Sequence, residues 1–327
     1  MVGRFSLSCA ILFAVIVVIS AGCGGVRESA KHGEEGGTVS DATERDVQPV
    51  RQVRIVPRPD SWAIWLQKAQ PQVVAASATD LVVVDYSADG TDAHAFTPAE
   101  VALMQRGGRK VLCYFSIGEA ESYRFYWNAQ WKEAPPAFLG AENPDWPENY
   151  KVKYWHEQWW DLALKPYMDR ILAAGFDGVY LDIVDAYWYW FEQGRELETC
   201  ASDMIRLVVR IGNYLRQKGG ADLIICPQNA EGIFNDAPEE AVTRYLKAID
   251  MIGVESLLFN VTPEDSTYRT EMLARAANAG KFVLNIEYIP LERMDEYRRA
   301  LSALPFAPVP YRAEPDRALD GLASQRP

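Results

Sequence analysis

Between Trp62 and Tyr311, short and nearly unbroken apolar runs alternate with longer stretches whose apolar residues return every three or four positions. The short runs are Trp62–Leu66, Leu81–Tyr86, Lys110–Ser116, Gly178–Asp182, Leu223–Gln228, Met251–Glu255 and Phe282–Glu287, with a weaker last one at Ala307–Tyr311. They are rich in Val, Ile, Leu and aromatic residues and show little strict polar alternation, as strands buried on both faces of a parallel sheet do. The helices between them carry their own signals. Thr97-Pro98-Ala99-Glu100 supplies an N-cap hydroxyl, a proline at the first helical position and a glutamate placed to close a capping box. Thr262-Pro263-Glu264-Asp265 repeats the opening. Met204, Val208, Ile211 and Leu215 share one helical face, and Gly219-Gly220 stops that helix, while Gly175 and Gly280 are stops just before strands. Eight strands alternating with helices over about 250 residues predict an α/β fold, a (β/α)8 TIM barrel. A doubly wound open sheet fits less well, because no glycine-rich phosphate loop follows the first strand.

Polar residues end these runs. The tips read Asp85-Tyr86-Ser87, Tyr114-Phe115-Ser116, Asp182, Gln228-Asn229, Glu255 and Glu287-Tyr288. An apolar strand has no packing use for a carboxylate at its tip, and a buried one is costly unless paired or put to work. In barrels of this kind the strand C-termini carry the active site. Any one of these groups fits a helix cap, but glutamates are poor caps, and six tips in succession point to a shared rim. Asp182 and Glu255 are therefore expected to face each other across one cleft. Asp85, Tyr86, Tyr114, Ser116, Asp185, Gln228, Asn229, Glu287 and Tyr288 are expected to surround them and bind substrate. The stretch Glu119–Trp160 is too long for a simple connection. It holds Trp127, Trp131, Trp146, Trp155, Trp159 and Trp160, which read equally as a platform for stacking sugar rings or as packing for the insert.

Composition narrows the chemistry. The chain is 49% hydrophobic and 24% charged, which is globular, and its net charge of −12 argues against a nucleic-acid partner while suiting a cationic ligand. Only His32, His94 and His156 are present, leaving little material for a Ser-His-Asp triad or a His-ligated zinc. Cys113, Cys200 and Cys226 have no metal or redox spacing, and Cys113 and Cys226 lie inside apolar runs as small core residues. No metal or cofactor is expected. Arg4, the apolar run Ile11–Ile19 and Ser20-Ala21-Gly22-Cys23 read as an export signal over residues 1–23, similar to a bacterial lipoprotein signal with Cys23 as the lipidated residue. Residues 24–52 read as a linker, 53–315 as the barrel and 316–327 as a tail. The expected molecule is an exported monomer, secreted or held at the membrane only through a lipid on Cys23.

Two converging carboxylates, without histidine or a metal motif, fit glycoside hydrolysis, in which one carboxyl is the general acid and the other the nucleophile or base. Tyr114-Phe-Ser-Ile-Gly-Glu119, Gly175-Phe-Asp-Gly-Val-Tyr-Leu-Asp182, Gln228-Asn229 and Gly253-Val-Glu255-Ser resemble glycoside hydrolase family 114 over about residues 55–310. This is the endo-α-1,4-polygalactosaminidase family and its relatives. The resemblance implies a (β/α)8 barrel acting on a cationic galactosamine polymer. It implies Asp182, on the fourth strand, as nucleophile and Glu255, on the sixth, as acid/base. The chain has Asp182-Ile-Val-Asp185 where members often carry Asp-Asn-Val-Asp, and Glu255-Ser256 where they carry paired glutamates. Under these roles Asp182 is expected to stay ionised among donors such as Tyr114. Glu255 is expected in drier surroundings that keep a proton available. A glycosidase of other sugar specificity, and a non-catalytic carbohydrate-binding lipoprotein on the same barrel, remain alternative readings.

Overall fold

All eight apolar runs become parallel strands in a computed structural model that describes residues 56–322. They are β1 (Trp62–Trp65), β2 (Leu81–Val84), β3 (Lys110–Ser116), β7 (Gly178–Asp182), β8 (Ile224–Pro227), β9 (Met251–Glu255), β10 (Phe282–Tyr288) and β11 (Val309–Ala313). Three short strands lie in the insert between β3 and β7: β4 (Glu119–Glu121), β5 (Leu139–Glu142) and β6 (Asn149–Val152). Every residue of β1 and β2 is buried, so neither face of these strands meets water, which explains their unbroken apolar runs.

The order β1-β2-β3-β7-β8 forms one parallel sheet and β9-β10-β11 a second. The two arcs meet where Gln228 bridges Gly253 in parallel fashion. At this seam the Asn229 amide donates to the Gly253 carbonyl at 2.8 Å and the Asp250 amide to that of Ile225 at 2.9 Å. On the other side the Trp62 indole donates to the Val309 carbonyl at 2.9 Å, and its ring lies 5.6 Å from that of Tyr311. The last strand thus stands beside the first. The interior is filled by large side chains, as barrel interiors are. Tyr180 of β7 crosses it, stacked 6.1 Å from Trp62. Gly253 makes room for it, since a Cβ at that position would lie 2.1 Å from the Tyr180 hydroxyl.

The helices form where their caps predict. Thr97 and Glu100 close the capping box of Pro98–Met104, Thr262 caps Pro263–Asn278, and Gly175 ends Lys165–Ala174 in a left-handed turn. Helix Leu197–Gly219 buries Met204, Val208, Ile211 and Leu215 against the sheet. Cys113 and Cys226 are buried as expected.

The insert forms an antiparallel sheet in the order β4-β6-β5. Of the two readings left open for its tryptophans, packing holds for three. Trp131, Trp159 and Trp160 are buried, and Trp131 and Trp159 sandwich Phe138 at 5.3 and 5.6 Å. They fasten the insert to the barrel. The expected export signal, Cys23 and the linker lie outside the described residues. Among the described residues no helix is long and apolar enough to cross a membrane. Residues 316–322, expected as a tail, run back to the barrel: the Leu319 carbonyl accepts the amides of Leu66 and Gln67 at 2.8 and 3.2 Å.

Candidate active site

The candidate carboxylates end their strands, Asp182 closing β7 and Glu255 closing β9. Ser116 of β3 is paired with Asp182 of β7, and Glu255 of β9 with Ile286 of β10. Just past these tips the backbone turns left-handed at residues other than glycine. The φ angles are +58° at Ile183, +55° at Asn229, +58° at Ala230 and +50° at Ser256. Such turns are costly, most of all for a β-branched residue, and persist where surrounding contacts over-determine them. Gly118 is one such contact: a Cβ there would lie 2.2 Å from the Ile183 carbonyl oxygen.

Each of the two carboxyls is half-buried and held by a phenol. The Tyr114 hydroxyl donates to Asp182 Oδ2 at 2.6 Å. The Tyr288 hydroxyl donates to Glu255 Oε2 at 2.9 Å, and Asn229 Nδ2 donates to Oε1 at 3.0 Å. Asn229 also accepts the Glu255 amide at 3.2 Å, so one side chain fixes both ends of that residue. Arg269 donates to the carbonyls of Glu255 and Ser256 at 3.0 and 3.1 Å and pairs with Glu231.

Burial raises the Asp182 carboxyl to about 7, with the Tyr114 phenol and the Ile183 amide opposing and the charges of Glu255 and Asp185 adding to the rise. This corrects the expectation of a comfortably ionised Asp182. The same strand tip that supplies donors also takes the carboxyl out of water and sets it beside like charges. Asp185 rises to about 6, first through burial and then through Glu119, with Lys151 opposing and Glu255 and Glu231 adding to it. Asp182, Asp185, Glu119, Glu231 and Glu255 therefore share one electrostatic space. The cations facing them come from outside the strand tips. Lys151 of β6 pairs with Glu119 at 2.5 Å and lies 5.2 Å from the Tyr189 ring centre.

Tyr114, Asp185, Asn229 and Tyr288 thus join Asp182 and Glu255. Other expected substrate contacts are engaged beneath the rim. Asp85 is buried, with both oxygens taken by Arg124 at 2.7 Å, and Arg124 also pairs with Glu121. The Tyr86 hydroxyl donates to the Gly90 carbonyl, and its ring packs 5.0 Å from that of Tyr167. Ser116 donates to the Glu119 carbonyl at 3.1 Å and holds the turn into β4. Gln228 is buried in the β8–β9 seam. Glu287 is fully buried and accepts from the Leu258 amide at 2.8 Å and from Asn285 at 3.1 Å, so it organises the loop after β9. Successive strand residues face opposite sides, and Tyr288 takes the side that meets Glu255. Residues missed in the sequence are Lys151, Glu231, Arg269 and Arg317. Glu119, which ends the Tyr114–Glu119 motif, had a signal; Lys151 and Arg317, in an insert and a tail, had none.

Comparison with known proteins agrees with this fold. The profile of glycoside-hydrolase family GH114 matches residues 43–312. An uncharacterised protein of Methanocaldococcus jannaschii is 37% identical over 273 residues, covering 80% of this chain and 77% of that protein. One from Thermotoga maritima is 34% identical over 277 residues, covering 80% and 83%. Among solved structures, Aspergillus fumigatus Ega3 in complex with galactosamine is similar at 20% identity and a TM-score of 0.57, covering 78% of this chain and 91% of that one. The glycoside hydrolase domain of Pseudomonas aeruginosa PelA is similar at 21% identity and a TM-score of 0.61, covering 81% and 98%. At these identities the two structures share the fold.

Proposed function

The chain belongs to glycoside-hydrolase family GH114, and from that premise we propose that it cuts α-1,4-linked galactosamine polymers internally, with Asp182 and Glu255 as its working carboxyls. The observation that carries this reading is the placement of these two groups at the tips of the fourth and sixth barrel strands, each held by its own phenol. In a retaining sequence the Asp182 carboxylate attacks the anomeric carbon while Glu255 gives its proton to the departing glycosidic oxygen. Glu255 then takes a proton from the water that releases the sugar from Asp182. Tyr114 holds Oδ2 of Asp182 and so orients the attacking carboxylate.

The surplus of carboxylates supports a cationic substrate. Five acidic side chains share the space with Lys151 and Arg269. A sugar ammonium brought beside Asp182 favours its ionised form, and this supplies the charged nucleophile on binding. The galactosamine in the Ega3 complex supports the same sugar here. The leader over residues 1–23 supports export, with the enzyme secreted or tethered through Cys23.

Defined α-1,4-linked oligomers of galactosamine, N-acetylgalactosamine and galactose test the reading, with products identified by mass spectrometry. Internal cleavage of oligomers that contain free amines is expected. Cleavage of the neutral galactose oligomer alone would overturn the substrate, and cleavage of none would overturn the activity.

A further inference from the structure

The family profile ends at residue 312, yet residues beyond it reach the candidate site. After β11 the chain turns back across the rim with left-handed backbone at Arg317 and Leu319, where φ is +57° and +47°. Leu319 ties the segment to the tip of β1 through the amides of Leu66 and Gln67. Between β11 and that tie, Arg317 Nη2 donates to Ser256 Oγ at 2.9 Å, and the guanidinium lies 4.3 Å from the centre of the Tyr288 ring. Ser256 directly follows Glu255 and carries the left-handed turn. Tyr288 donates its hydroxyl to Glu255 Oε2. One guanidinium therefore touches the residue after Glu255 and the phenol that holds its carboxyl.

We infer that residues 314–322 form a strap belonging to the active site, and that Arg317 is a positioning residue that fixes the Glu255 carboxyl through Tyr288 and Ser256. This rests on the reading of Glu255 as a working carboxyl. Glu314, Pro315 and Asp316 are exposed and Arg317 is half-buried, so the strap's leading half adds little to the core. The left-handed turns at Arg317 and Leu319 are conformations that contacts at both ends must maintain. A lysine does not replace Arg317, because it lacks the planar fork that stacks on a ring while donating sideways. Arg317 and Arg269 hold different atoms of this turn: Arg269 holds the carbonyls of Glu255 and Ser256, and Arg317 holds the Ser256 hydroxyl.

Amide hydrogen exchange over residues 255–258 tests the strap in Arg317→Ala and Arg317→Lys, beside thermal unfolding of both. Faster exchange at these amides with an unchanged unfolding midpoint is expected, and the lysine variant should not restore protection. On a galactosamine oligomer, Arg317→Ala should lower kcat about tenfold and leave KM within about twofold, the pattern of a misplaced reacting group. Combining Arg317→Ala with Tyr288→Phe should cost little more than the larger single change, because both act on one carboxyl. Unchanged exchange, or a double variant whose losses multiply, overturns the strap's role. If the wild-type chain cleaves no such oligomer, the substrate reading fails, and the exchange measurement alone decides the strap: protection lost supports it and protection kept overturns it.

Discussion

Asp182 and Asp85 end two apolar runs in the same way and have opposite fates. Arg124 occupies both oxygens of Asp85, whereas Asp182 keeps one oxygen clear of the Tyr114 phenol. That difference rests on an arginine 39 residues from Asp85, in a segment whose own pattern predicts only an insert, and so it is invisible in either strand alone. Glu287 misleads for a related reason. It is adjacent to Tyr288, and alternation along β10 sends only one of them toward Glu255. Asp182 must be ionised to attack, and burial holds it at about 7. The kcat/KM profile, which reports free-enzyme groups, should therefore fall as pH drops through about 7. A kcat/KM that rises as pH falls below 7 would make Asp182 the acid and exchange the two roles.

The strand elements were legible because burial on both faces leaves an unbroken apolar signature, and the helices because their caps are chemical. The insert's sheet was not. Its strands are three and four residues long, and β4 reads Glu119-Ala120-Glu121, whose acids are buried against Lys151 and Asn143 on one side and Tyr123 and Arg124 on the other. The loop after β9 is the element on which Glu255 depends, and Glu287 anchors it from below. Burial raises Glu287 from 4.5 to about 7, against the Leu258 amide and Asn285 that favour its charge. Between those two values the folded chain holds a proton that the unfolded chain releases, so this group's contribution to stability declines as pH rises through that window. Glu287→Gln keeps the accepting oxygen and removes the buried charge. Its gain in unfolding free energy should be larger at pH 8 than at pH 5, following about 1.4 kcal/mol per pKa unit. Denaturant titration at both pH values checks this. An equal effect at both would mean that Glu287 is already neutral, or well solvated, across the range.

Across the whole molecule, the ends of β3, β7, β8, β9 and β10 bring Tyr114, Asp182, Asn229, Glu255 and Tyr288 together, an insert adds Lys151, and a returning strap adds Arg317. The barrel was readable from periodicity. The cations around its acidic rim were not, because each is supplied by a segment whose local pattern carries no trace of its destination. The central claim is that Asp182 and Glu255 divide the work of one hydrolysis. It is tested most directly by comparing Asp182→Asn and Glu255→Gln on an activated aryl galactosaminide and on a galactosamine oligomer. The account predicts that Asp182→Asn loses both substrates, while Glu255→Gln loses the oligomer and keeps the aryl glycoside, whose leaving group departs with little protonation. Turnover of the aryl glycoside by Asp182→Asn, or equal loss of both substrates in the two variants, would contradict it.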